Sequence, residues 1–176
     1  MRRITTIMAI SLLFVLAGIL TSVVLAQNPH YKAKGGPSCV DNGLTATCTG
    51  TVTGLGNFNV EITLSALASG DTVCKNPGNG SEVPGQNPAN NVPVSGGLFI
   101  PASSVKNGNL SFTVSTLPPP NPTPAQAGCP NGNWTASYKD LSFTNGQLTI
   151  FQDLNADGVF SDPGEIVIGP TPVSIP

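Results

Sequence analysis

Charge is what this chain has least of. Only 9% of its 176 residues are Asp, Glu, Lys or Arg, against roughly a quarter in average soluble proteins. Its two arginines, Arg2 and Arg3, stand at the very start, and beyond them five lysines meet nine acids for a net charge of −4. A nucleic-acid binder needs clustered Lys and Arg to displace counterions from phosphates, so no nucleic-acid partner is expected. Attraction to anionic membrane surfaces is excluded on the same ground. Histidine is nearly missing too. The single His30 follows Pro29, and no CxxC spacing occurs, which removes the usual ligand sets for zinc. There is no GxSxG element, and no free thiol is left over for nucleophilic work once the four cysteines pair. Helical spacing of apolar residues is absent after the first 26 positions.

Those first 26 residues decide the compartment. Arg2 and Arg3 precede an uncharged run over 4–25, and Val24-Leu25-Ala26 supplies small residues before Gln27. That order reads as a secretory signal peptide cleaved after Ala26, although the run is just long enough to serve as an uncleaved anchor. The residue next after Ala26 is Gln27 and not cysteine, so lipid attachment is not expected, nor is a membrane role after cleavage. The C-terminus, Pro170 to Pro176, carries no hydrophobic anchor, and release or non-covalent retention at the cell surface is expected.

Residues 27–176 suffice for one domain with a sizeable core. A composition with 20 glycines and 17 prolines invites a reading of disorder. The apolar residues argue otherwise, because they alternate between turn signals. In 44–52, Leu44, Ala46, Cys48, Gly50 and Val52 face one way and four threonines the other, as in a half-buried strand. In 60–68, Val60, Ile62, Leu64, Ala66 and Ala68 line a second inner face. Further strands are expected at 71–74, 92–100, 109–116, 133–143, 148–152 and 166–168. The Asn145-Gly146 pair predicts a hairpin between two of these, since both residues tolerate positive φ. Residues 27–37 show no periodicity and read as a flexible terminus. The stretches 75–91 and 118–130, rich in Pro, Gly and Asn, exclude central strands or helices. The expected architecture is all-β, with two packed antiparallel sheets in an immunoglobulin-like or related sandwich over 38–152. Residues 153–176 then form an acidic loop with a C-terminal strand and tail.

Cys39, Cys48, Cys74 and Cys129 all lie in the exported part, where an even count points to disulfides. Four cysteines permit three pairings. Cys39–Cys48 with Cys74–Cys129 is favoured, because the first brackets a local Asn42-Gly43 turn and the second closes a long loop.

The sharpest motif is Asp153-Leu154-Asn155-Ala156-Asp157-Gly158, followed by Asp162 and Glu165. Oxygen ligands at positions 1, 3 and 5 with Gly at 6 wrap a loop around a hard cation such as calcium, and Val159 would offer its carbonyl at position 7. The expected ligands are Asp153, Asn155, Asp157, Val159, Asp162 and Glu165. The pattern departs from the EF-hand at position 12, which is Gly164, with the acid one residue late at Glu165. Loops of the form DxNxDG…DxGE resemble those of secreted bacterial proteins and surface β-domains. Without a cation, four acids within 13 residues would repel one another and oppose a compact loop; a solvated acidic turn is the alternative.

Other residues invite weaker readings. Trp134 could be a sugar platform, but a core Trp beside a disulfide is the commoner case. Tyr31 is expected to be mobile. Glu61, Asp71, Glu82 and Asp140 could supply a carboxylate pair for glycoside hydrolysis, yet nothing in their spacing brings two together. Sequons occur at Asn79, Asn109 and Asn133 and matter only in a glycosylating host.

Four segments carry a family likeness: CTGTVTGLGN (48–57), CKNPGNG…VPGQNP (74–88), PASSVKNGNLSFTV (101–114) and GCPNGNWTA (128–136). On these, from Cys39 to about Ile150, the chain resembles a family of small secreted bacterial proteins of uncharacterised function. The resemblance implies an exported protein and brings no catalytic residue; the 153–165 loop stands beyond the shared part.

The expected protein is therefore a secreted, disulfide-stapled sandwich that binds or builds and does not catalyse, with one structural calcium ion. Its partner would be an extracellular protein or polymer, or copies of itself paired through exposed edge strands. A soluble ligand- or carbohydrate-binding module is the alternative, with a pocket expected near 75–91 and 118–130. A secreted glycoside hydrolase is the third reading.

Overall fold

The structure is a computed structural model that describes residues 28–160, 162 and 165–176. The predicted signal segment, and Gly164 in the acidic loop, lie outside the described residues. Nine strands run in chain order: β1 His30–Tyr31, β2 Ser38–Asp41, β3 Ala46–Thr53, β4 Val60–Lys75, β5 Glu82–Pro84, β6 Ala89–Ile100, β7 Leu110–Ser115, β8 Thr135–Gln152 and β9 Ile166–Val173. No α-helix occurs among the described residues, and none there is long and apolar enough to cross a membrane. All pairings are antiparallel. In one sheet β3 is central, with β1 and β2 along one edge and β7 on the other. In the second, β4 is flanked by β5 and β6 on one side and β8 on the other, and β9 lies beyond β8.

Leaving out the short β1 and β5, the first, second and fifth strands form one sheet and the fourth, third, sixth and seventh the other. That is the pairing of an immunoglobulin-like sandwich with its fourth strand carried on the larger sheet's side. The expected two-sheet, disulfide-stapled architecture is what the chain adopts.

Alternation builds the core. Ala46, Cys48 and Val52 of β3 and Leu110, Phe112 and Val114 of β7 are buried against Val60, Ile62 and Leu64 of β4 and Leu141, Phe143, Leu148 and Ile150 of β8. Each large member contributes roughly 1.5–3 kcal/mol by leaving water. Gly50 leaves room for Phe112, whose Cζ would stand 2.7 Å from a Cβ at that position. Threonines on the opposite face of β3 bond across strands instead, Thr47 to Ser115 and Thr51 to Ser111.

Several local expectations change. Asn145-Gly146 is not a hairpin. The segments 133–143 and 148–152 are one strand, β8, of 18 residues, and 71–74 likewise continues β4. Ser65 pairs with Gln147 and Leu67 with Thr144, so Asn145 and Gly146 together oppose Ala66. This is a β-bulge, with Asn145 at φ 53°. This bulge and a type I′ turn both place Asn145 in left-handed backbone, so the dipeptide alone does not separate them. Gly146 also admits β9, because a Cβ there would come 2.7 Å from the Val173 carbonyl oxygen. Leu44 belongs to the turn closed by Asn42 and Thr45 and is exposed, not an inner-face residue. The last strand extends from Ile166 to Val173 and makes the C-terminal segment part of the larger sheet, not a tail beyond the domain. Pro170 and Pro172 lie within it.

Residues 28–37, the described part of the expected flexible terminus, are not loose either. His30 and Tyr31 pair with Thr53 and Val52, and the Lys32 and Thr51 amides donate to Thr51 and Gly35 carbonyls. Tyr31 packs on the core. Burial pushes its phenol above the ordinary value, with the Thr171 side chain partly offsetting the shift. The neutral phenol is thus the form the fold favours. Its contribution is complete below pH 10, where an unfolded tyrosine begins to ionise, and falls as pH rises further. Urea midpoints at pH 8 and pH 11 are expected to drop more in the wild type than in Tyr31→Phe; equal drops would mean that Tyr31 is solvated.

Both disulfides form, Cys39–Cys48 and Cys74–Cys129. The first joins cross-strand partners of β2 and β3. The second ties the end of β4 to the proline-rich connection between β7 and β8. There Trp134, half-buried, packs with Cys129 on Cys74, Ala127 and Ala136. Trp134 is therefore a packing residue of this small second cluster.

Candidate metal centre

The loop between β8 and β9 starts from a buried position. Asp153 follows the inner-face residue Gln152 and is itself only 2% exposed, as is Glu165 just before β9. Backbone bonds fix both ends: the Gln152 amide donates to the Glu165 carbonyl, and the Asp153 amide to the Asn59 carbonyl. Asn59 precedes β4 and is braced from two sides. Its Oδ1 accepts from the Ala102 amide, and its Nδ2 donates to Asp153 Oδ2 at 3.5 Å. No local motif contains Asn59, because it lies 94 residues from the aspartate.

Inside the loop the amides turn towards carboxylates. Asp153 Oδ1 accepts from the Asp157 amide and Oδ2 from that of Gly158, at 3.0 and 3.1 Å. Glu165 accepts from the Leu154 and Asp162 amides, both at 3.2 Å. Asp157 Oδ1 accepts from the Val159 amide at 2.8 Å. Ala156 and Gly158 take positive φ, 61° and 81°, which lets the chain curl this tightly; the glycine was expected at that step and the alanine was not.

Of the four carboxylates among the six predicted ligand residues, three converge. One oxygen from each of Asp153, Asp157 and Glu165 lies within 4.8 Å of the others. Two oxygens bound to one metal ion at about 2.4 Å can be at most about 4.8 Å apart, so the triplet could hold a single ion. Asn155 and Asp162 sit beside it, joined by a 2.9 Å bond from Asn155 Nδ2 to Asp162 Oδ2. Asn155 Nδ2 also donates to Asp157, and Asn155 Oδ1 accepts from the Asp157 amide. Val159 contributes a backbone bond and an exposed side chain. No lysine or histidine forms an ion pair with any of these acids among the described residues.

The other acids are placed differently. Asp71 and Asp140 are cross-strand partners, both exposed on the outer face of β4 and β8. Glu82 stands opposite Lys75, 4.0 Å away at a well-exposed position, a pair worth little. A shallow groove of about 450 Å³ runs beside them, lined by Asp71, Glu82, Pro84, Ser137 and Lys139. His30 is exposed, and its Nδ1 lies 2.7 Å from the Asn28 carbonyl oxygen. All three sequon asparagines are exposed. Compared with known proteins, the chain matches no family model, no curated protein and no solved structure.

Proposed function

We propose that this protein is an exported, non-enzymatic interaction module whose β8–β9 loop is closed by one structural calcium ion. The observation that carries the reading is the pair of buried carboxylates, Asp153 and Glu165, within reach of a third and without a cationic partner among the described residues. Burying unpaired negative charge is costly, and a divalent cation removes that cost. Asp153, Asp157 and Glu165 would hold the ion, with Asn155, Asp162 and the Val159 carbonyl completing its oxygen shell. The ion would supply charge balance and rigidity to the loop. Two disulfides suit an oxidising compartment. The cross-strand pair Asp71 and Asp140 stands on exposed sheet surface where water is not excluded from a reaction.

Calorimetric titration with calcium, joined to thermal melting in calcium and in chelator, tests the site. Saturable binding is expected, with about 2.7 kcal/mol of stabilisation at a hundredfold excess over Kd and a melting point raised by about 5–10 °C. Asp153→Ala and Asp157→Ala are expected to abolish both. Absence of binding at millimolar calcium would overturn the site and leave the loop closed by its amide–carboxylate bonds alone. Export is tested separately, by N-terminal sequencing of secreted protein, which should begin at Gln27.

A further inference from the structure

The outer face of the larger sheet carries a row of side chains that no sequence window joins. Glu61 of β4 is in register with Phe99 of β6 on one side and Phe151 of β8 on the other, and Phe151 with Ile166 of β9. Register partners share a face. The buried neighbours Val60 and Ile62 set that face as the one away from the core. Phe99 is 58% exposed, and Phe160 of the acidic loop meets it edge-on at 6.1 Å and 77°, an arrangement that fixes the ring without covering it. Phe99 and Phe151 stand two strand spacings apart, roughly 9–10 Å, with the acid between them. A Cβ at Gly97 would lie 3.5 Å from Glu61 Oε1, so the carboxylate leans over a position that has no side chain to fill it. No ion pair engages Glu61 among the described residues.

Along β4 the same face continues as Thr63, Ser65 and Leu67. A shallow groove of about 600 Å³ lies there, lined by Ser65, Leu67, Pro93, Ser95, Asn145 and Gln147. From Glu61 to Leu67 the track is roughly 20 Å long, edged by hydroxyls and amides and free of positive charge. We infer that this face, from Phe99, Glu61 and Phe151 to the groove at Ser65 and Gln147, is a binding platform for an uncharged, hydroxyl-rich polysaccharide. The rings offer flat apolar surfaces for sugar faces. Glu61 is a strong acceptor for sugar hydroxyls. The side-chain hydroxyls and amides beyond it take either role in a hydrogen bond. Charge complementarity selects the class. The only ionised group on the track is an acid, so anionic polymers are repelled, and one acid in a field of Ser, Thr and Gln is too little for a polycation.

The inference rests on the protein's being an extracellular interaction module, but not on its calcium site. The test measures depletion of the exported chain from solution by cellulose, chitin, starch and mannan, with chitosan and alginate as charged polymers. At least one neutral polymer is expected to retain it, with affinity reduced about tenfold or more by Phe99→Ala and by Glu61→Gln. Asp71→Asn, at the far end of the sheet, should bind as wild type. Exposed positions make both test variants foldable, and unchanged melting points verify it. Retention by no neutral polymer, retention only by chitosan or alginate, or full binding by both variants would each overturn the platform. Calcium titration of the same samples separates that failure from failure of the loop site.

Discussion

Paired substitution of Cys74 and Cys129 by alanine is expected to cost about 4 kcal/mol, the largest loss available from a single covalent feature of this chain. The bridge spans 55 residues, so the unfolded chain regains far more freedom than when Cys39–Cys48, which spans nine, is opened; the shorter loop should cost about 2.5 kcal/mol. Packing adds to the difference. Cys74 is fully buried in the small cluster with Ala127 and Ala136, and Trp134 and Cys129 close over it, whereas Cys39 and Cys48 are held by strand pairing whether bridged or not. Urea unfolding of the two double variants, followed by the fluorescence of Trp134, measures both. Equal losses would show that loop length is not what the long bridge contributes.

Gly96→Ala is expected to cost about 3 kcal/mol, from a single added methyl group. Gly96 of β6 opposes Leu64 of β4, and a Cβ there would collide with the carbonyl of Ser115, the last residue of β7. The approach is held by a 2.9 Å bond from the Leu117 amide to the Ser95 carbonyl, and it is one place where the two sheets meet backbone to backbone. Neither partner is a flexible side chain, so the overlap must be relieved by moving a strand. Gly97→Ala next to it is the control. Its nearest neighbour is Glu61 Oε1 at 3.5 Å, an ordinary contact, and its expected change is under about 1 kcal/mol. Similar denaturation midpoints for the two variants would show that β6 and β7 can part at no cost.

What the sequence disclosed followed how local each cause is. The inner faces of β3 and β4 are written in alternation, and the Asn42-Gly43 turn that places Cys39 beside Cys48 spans only a few residues. The acidic loop was legible because its three converging acids are close along the chain. Asn145-Gly146 misled for a physical reason: its backbone preference is real, but pairing with Ser65 and Leu67, about 80 residues earlier, decides whether that preference makes a turn or a bulge. Tyr31 lacked a periodic context because a strand of two residues has no period; β3 gives it its place. The row of Glu61, Phe99, Phe151 and Ile166 is set wholly by register among four strands, and no local pattern announces it. Asn59 belongs with these, as its side chain serves an aspartate brought to it by the fold.

The prolines of β9 have a consequence for crowded solutions. Among the described residues β9 is the outer border of the larger sheet, and Pro170 and Pro172 remove two N–H donors from its eight residues. A foreign strand laid against it would meet interruptions where a cross-β stack demands an unbroken ladder. On the opposite border Pro93 interrupts β6 in the same way, and the Ser95 carbonyl is already taken by the Leu117 amide. A chain with so little charge has weak electrostatic protection against its own copies. Its borders supply that protection by geometry, because a ladder interrupted by proline is a poor template for growth into fibres.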